Sequence, residues 1–315
     1  MLERFLILWL VLSSALACFW PQWFSGTADP FKVGVASLSY CIALTMFAVG
    51  AMLPVDEVRQ VARRWPMVLG GTALQYTVMP LLAFTFGRLL ALDAAAMVGI
   101  AMVGCVPGAM ASNVLTLNAR GNTSYSVSLT TAATLLSPVA VPAGLWLLLS
   151  DRVTIDPWAV SGNLLLTVVL PVVAGHFVGR AFSAHEVALR WVGSKIANLA
   201  ILWIIAVVVG LNREHLTEIQ TNVFVALLGI NAGGYLAGWF GGRMLAIPTA
   251  MRRALTLEIG MQNAGLGAVL ATTFFKDQPQ AAIAPAMYTF GCMLTGTVLA
   301  TVWRTAVCDD REPRD

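Results

Sequence analysis

Charge is scarce in this chain. Only 11% of its 315 residues are Asp, Glu, Lys or Arg, against 58% hydrophobic, and the mean hydropathy is +0.78. An ordinary soluble domain carries roughly 25% charged residues, so that class is excluded. Long polar stretches are missing too: the gaps between apolar runs, such as 54–66, are too short for a second folded domain. No Gly-x-x-x-x-Gly-Lys-Ser/Thr loop occurs, which excludes ATP as a partner. There are three histidines (His176, His185, His215) and no His-Glu-x-x-His, which removes the zinc-hydrolase reading. No two carboxylates share an apolar run, so an intramembrane enzyme would lack its acid–base pair. The five cysteines (Cys18, Cys41, Cys105, Cys292, Cys308) show no metal-ligand spacing and read as small apolar packing residues. A net charge of +3 calls for no nucleic-acid partner.

What is abundant is apolar sequence in long runs, which points to an all-α polytopic protein in membrane lipid. Ten runs stand out, at 5–20, 33–53, 67–90, 94–117, 123–149, 158–178, 196–211, 223–240, 255–275 and 281–302. Most reach the ~17–25 residues that cross a hydrocarbon core as a helix; the first and seventh are short. With the N-terminus in the cytoplasm, fourteen of the nineteen Lys and Arg residues fall on the cytoplasmic side. Ten spans then return the C-terminus to the cytoplasm as well. Arg4, the first apolar run and Ser13–Cys18 imitate a cleaved signal peptide, but removal would spoil the even span count.

Of sixteen acidic residues only Glu258 lies inside a long apolar run. A lone carboxylate at mid-membrane costs about 2.5–3.5 kcal/mol on insertion scales, so it needs a partner or a purpose. Around it, Glu258-Ile-Gly-Met-Gln-Asn-Ala-Gly265 interrupts the ninth span, with Gly260 as the weak point. The fourth span is interrupted in the same way by Gly104-Cys-Val-Pro-Gly-Ala-Met-Ala-Ser-Asn113, where Pro107 removes a backbone donor. Before each of these spans stands a matching hexapeptide, Gly87-Arg-Leu-Leu-Ala-Leu92 and Gly242-Arg-Met-Leu-Ala-Ile247. Five spans separate the copies, so the pattern predicts two inverted five-helix repeats, 1–150 and 151–315. Broken helices put free carbonyls, suited to a hard cation, near free N–H groups that attract an anion. The bland alternative is a pair of kinked helices whose polar groups bond to their neighbours.

These residues resemble the bile acid:sodium symporter family. The matching pieces are Pro107-Gly-Ala-Met-Ala-Ser-Asn-Val114, Ala119-Arg-Gly-Asn122 with Ser126 and Thr130, and Leu257-Glu-Ile-Gly-Met-Gln-Asn-Ala-Gly265. The resemblance implies a panel of spans one, two, six and seven, and a core of the other six in which broken spans four and nine cross. It implies a secondary active transporter in a bacterial inner (cytoplasmic) membrane, importing a small organic anion by symport with two Na+ ions. By motif match, one ion is expected at Ser112, Asn113, Ser126, Thr130 and Glu258. The second is expected at Gln75, Glu258 and Gln262 with the carbonyls of Ile259 and Met261.

Substrate contacts are expected at Met110, Asn113, Asn263 and Met293. The chain departs from bile-acid-binding relatives at Phe290-Gly-Cys-Met293 and at Met110, which leaves bile-acid, keto-acid and pantoate-like carboxylates all open. For Thr130 the alternative is back-bonding to its own helix, and for Gln75 a satisfied interhelical hydrogen bond. Cys105 with Glu258 also fits the outline of a related arsenite efflux family.

Overall fold

The computed structural model describes residues 5–54, 63–151, 153–218 and 220–305. Arg4, Arg59, Arg152, Arg311, Arg314, Cys308 and both chain ends, which enter the charge and topology expectations, lie outside the described residues. Among the described residues twelve helices carry the fold: α1 Leu6–Trp23, α2 Pro30–Met52, α3 Trp65–Leu89, α4 Ala94–Cys105, α5 Ala111–Asn118 and α6 Thr123–Leu149. The others are α7 Pro157–Ala181, α8 Glu186–Leu211, α9 Thr221–Met244, α10 Thr249–Gly260, α11 Ala264–Phe274 and α12 Ile283–Thr305. Eight of them, all but α4, α5, α10 and α11, are long and apolar enough to cross a membrane. The chain is therefore a helical polytopic membrane protein.

Local chemistry sets where these helices begin. Asp29, Asp93, Asn122 and Asp156 cap α2, α4, α6 and α7 by accepting backbone N–H groups, and Pro30 and Pro157 follow two of those caps. The seventh apolar run, expected at 196–211, is only the apolar end of α8, which starts at Glu186. Its first turns were masked by charge that the helix accommodates at its side: Arg190 Nε donates to Glu186 at 2.8 Å, and Lys195 Nζ lies 3.2 Å from the centre of the Trp191 ring.

The two hexapeptides end their helices in the same way. Ala91 and Ala246 both take a left-handed φ, 48° and 53°. After α3, Ala91 N donates to Arg88 O and Leu92 N to Gly87 O; after α9, Ala246 N donates to Arg243 O and Ile247 N to Gly242 O. Each is a Schellman-type cap closed by a buried apolar residue, Leu92 or Ile247.

Packing separates into two groups of helices. Helix α2 makes its most extensive contacts with α7 and α8, and α1 lies along α8. Helix α3 packs on α4, α6 and α9, α6 on α4 and α10, and α9 on α10, with α11 and α12 on α4. The groups meet where α6 lies along the start of α7 and α8 touches α11 and α12. Along α2 and α7 the backbones touch: a Cβ on Gly50 would overlap Val172 O, and one on Gly175 or Gly179 would overlap the carbonyls of Phe47 or Ala51. At one end, Asp29 pairs with Arg213, both side chains largely buried, so the capping residue of α2 also anchors the end of α8.

Asp29→Ala is expected to lower the thermal unfolding midpoint of the purified protein clearly, since it removes a helix cap of about 1 kcal/mol and strands a buried guanidinium. Glu186→Ala, which breaks only the exposed pair with Arg190, should leave the midpoint within error.

Candidate functional site

The short helices come in two pairs, α4 with α5 and α10 with α11, each interrupted by a few non-helical residues, and the two breaks meet. Between α4 and α5 the chain leaves the helix at 106–110, because Pro107 lacks a donor and Gly108 has no side chain. Between α10 and α11 it leaves at 261–263, with Met261 extended at φ −116° and ψ 93°. The exposed backbone groups pair across the crossing: Ala109 N donates to Met261 O at 2.7 Å and Asn263 N to Pro107 O at 2.8 Å. Gly108 and Gln262 thus form an isolated antiparallel bridge.

Glu258, in the last turn of α10, is fully buried beside this bridge. Ser112 Oγ of α5 donates to Glu258 Oε2 at 2.5 Å, and Thr130 Oγ1 of α6 donates to the same oxygen at 2.8 Å. The second oxygen, Oε1, is buried with no hydrogen-bond partner among the described residues. It lies against Gly108, where any Cβ would overlap it. Among the described residues no Lys or Arg makes an ion pair with Glu258.

Around this carboxylate the sequence expectations separate. Thr130 has one proton and three acceptors in reach: Glu258 Oε2, Ser126 O at 3.1 Å and Asn113 Oδ1 at 3.4 Å. Back-bonding and carboxylate contact therefore coexist at this residue. Ser126 stands one turn away, its Oγ 3.2 Å from Thr116 Oγ1 rather than on the carboxylate. Gln75 Nε2 donates to Gln262 Oε1 at 3.2 Å, and Gln262 Nε2 to Ile259 O at 2.6 Å. Ile259 O and Met261 O each carry one hydrogen bond and keep a second lone pair. Oxygen groups of this kind suit a small hard cation.

On the other side of Thr130 lies a cavity of about 20 Å³ between the two helix groups. Val49 and Leu53 of α2 and Val172 of α7 face Met110, Asn113, Thr130, Thr131 and Thr134 across it. Of the expected substrate contacts, Met110 and Asn113 line this cavity. Asn263 is half-buried at the crossing, where its Oδ1 caps α11 by accepting Leu266 N at 3.2 Å. Met293 packs half-buried on α12, outside the cavity lining. Cys105 Sγ lies beside Gly144 of α6, and no hydrogen bond or ion pair between it and Glu258 is found among the described residues.

Sequence reasoning overlooked Thr116, Thr131, Asn231 and Tyr288. Thr131 Oγ1 is buried at the cavity without a hydrogen-bond partner among the described residues. Asn231 of α9 and Tyr288 of α12 both donate to Gly260 O, each at 2.8 Å. The signal for Asn231 was the one used for Glu258, a polar side chain inside an apolar run.

Residues 39–219 match the family model described as Sodium Bile acid symporter family. The chain belongs to that family. It is 33% identical to an uncharacterized sodium-dependent transporter, YocS, of Bacillus subtilis (strain 168), over 95% of this chain and 91% of the relative. A probable sodium/metabolite cotransporter of Arabidopsis thaliana chloroplasts, BASS1, is 33% identical over 84% of this chain and 65% of the relative. The human ileal sodium/bile acid cotransporter is 28% identical over 76% of this chain and 70% of its own length. Membership of a symporter family makes the chain a membrane transporter and not an enzyme. The family match takes in Gln75, Ser112, Asn113, Ser126 and Thr130 but stops before Glu258.

Gly108→Ala is expected to destabilise the purified protein by about 1–3 kcal/mol in chemical unfolding, because its methyl group competes with Glu258 for one space. Gly267→Ala, whose new Cβ would find neighbours no nearer than 3.5 Å, should be tolerated.

Proposed function

We propose that this protein is a secondary active transporter that imports a small organic anion by symport with sodium, through alternating access. One observation carries the reading: a fully buried carboxylate with a free oxygen, ringed by hydroxyls, amides and a broken backbone and paired with no basic side chain among the described residues. Left alone, such a charge is expensive in lipid. A sodium ion against Oε1 would offset that cost and draw its remaining ligands from Ser112, Thr130, Asn113 and, one turn away, Ser126. A second ion is assigned to Gln75, Gln262, Glu258 and the spare lone pairs of Ile259 O and Met261 O. Sodium-dependent relatives support the choice of ion.

The proposed architecture follows from the packing. Counting each broken pair as one crossing gives ten spans in two inverted repeats, 1–150 and 151–315. The matched caps at Ala91 and Ala246 and the paired breaks support that symmetry. Helices α1, α2, α7 and α8 would form the panel and the remainder the core. The excess of Lys and Arg on one side supports cytoplasmic termini in a bacterial inner membrane.

Coupling would run through Thr130. Its hydroxyl touches Glu258 on one side and Asn113 on the other, and Asn113 lines the cavity where the substrate would enter. Sodium would fix α5, α6 and α10 together, set Asn113, and so complete the anion site at the start of α5 and α11, whose N-terminal N–H groups favour negative charge. The effect must be differential, since an ion that bound both access states equally would shift nothing. Met110 and Asn263 are proposed substrate contacts; Met293 would join them only if the cavity widens. A bile acid, a keto acid and a pantoate-like acid all fit this chemistry. Nothing about Cys105 favours arsenite efflux.

In proteoliposomes supplied with a panel of carboxylates, wild-type protein should accumulate one of them only under an inward sodium gradient. Glu258→Gln and Gln262→Ala should each cut that uptake at least tenfold; sodium dependence unchanged in both would sink the site assignment.

A further inference from the structure

The carbonyl of Gly260 is the last of helix α10 and has lost its helical acceptor role. It is buried and receives two hydrogen bonds, one from Asn231 Nδ2 on α9 and one from Tyr288 OH on α12, each at 2.8 Å. The donors also lie 3.4 Å from each other, Asn231 Nδ2 toward Tyr288 OH, so they act as one strut. Both side chains are almost wholly buried. Nearby, Gly260 has no room for a side chain because a Cβ would strike the ring of Tyr235, whose own OH bonds Thr295 Oγ1 at 3.0 Å.

Two lone pairs taken by two donors leave Gly260 O nothing to give a cation. They also fix the plane of the 260–261 peptide. Met261 is extended, and in extended backbone successive carbonyls point to opposite sides. Holding Gly260 O toward α9 and α12 therefore aims Met261 O the other way, at the crossing, where it meets Ala109 N at 2.7 Å.

We infer that Asn231 and Tyr288 are positioning residues for sodium: they withdraw the Gly260 carbonyl from the ligand set and orient the Met261 carbonyl into it. This rests on the sodium-site reading above. Neither residue touches the ion. Removing either donor loosens the 260–261 peptide, which is otherwise held by the remaining donor and by Met261 N donating to Leu257 O at 3.0 Å. The Met261 carbonyl then spends part of its time away from the site, and sodium binds more weakly. The hexapeptide-matched helix α9 and the unbroken helix α12 thereby act on the ion through one backbone unit.

The test is a sodium titration of purified protein at constant ionic strength, with choline replacing sodium and thermal stabilisation as the readout. Asn231→Leu and Tyr288→Phe should each raise the half-saturating sodium concentration about fivefold, equivalent to about 1 kcal/mol. Thr289→Val, which loses a buried hydrogen bond from the same helix, Thr289 Oγ1 to Pro285 O at 3.1 Å, without freeing Gly260 O, should titrate like wild type. Wild-type titration of both Asn231→Leu and Tyr288→Phe, or an equal shift in Thr289→Val, overturns the inference. Should Asn231→Leu not fold, Tyr288→Phe decides alone, since it removes one oxygen and no packing volume. Glu258→Gln separates the two levels: if it keeps the wild-type sodium response, the site reading itself fails. If it abolishes the response while the strut variants titrate normally, only the positioning role fails.

Discussion

A backbone that leaves the helix inside a membrane must find partners for its N–H and C=O groups, and here the two breaks satisfy each other. Lipid offers none, and each unmet group costs several kcal/mol. Ala109 N with Met261 O and Asn263 N with Pro107 O meet that demand by a two-bond antiparallel bridge. Everything distinctive about the site follows from it. The bridge lets α10 stop at Gly260, which leaves Ile259 O and Met261 O with a lone pair to spare, and it brings Ser112 of α5 within reach of Glu258. Gly108 is required at the same point, since the carboxylate occupies the volume of a side chain there.

The site then reads as a short chain of contacts. Glu258 reaches Thr130, Thr130 reaches Asn113, and Asn113 borders the cavity between the two groups of helices. No step exceeds 3.4 Å. In the proposed transport reading, a change in the charge balance at the carboxylate would reach the cavity wall through this one hydroxyl.

Much of this was legible in the sequence, for a physical reason. Polar residues inside apolar runs are costly, so Glu258, Ser112, Asn113 and Gln262 announced themselves, and Pro107 and Gly260 marked where helices had to fail. Family resemblance supplied what spacing could not, the grouping of Gln75 with Gln262 across 187 residues of sequence. The start of α8 was hidden because hydropathy registers Arg190 and Lys195 as ends, whereas the helix carries them along its flank. Asn231 and Tyr288 stand 57 residues apart and beside no helix break in sequence, and only the fold brings both onto one carbonyl. Met110 and Met293 could not be told apart by type; one lines the cavity and the other does not.

The glycine seam between α2 and α7 sets how this half of the molecule can respond. At Gly50, Gly175 and Gly179 main chain rests against main chain, so at these three positions no side chain can lie between the two helices to absorb sliding. Close-packed backbones transmit strain rather than dissipate it. The pair is a stiff plank, and any widening of the cavity beside Val49 and Val172 would have to tilt both members together about their ends.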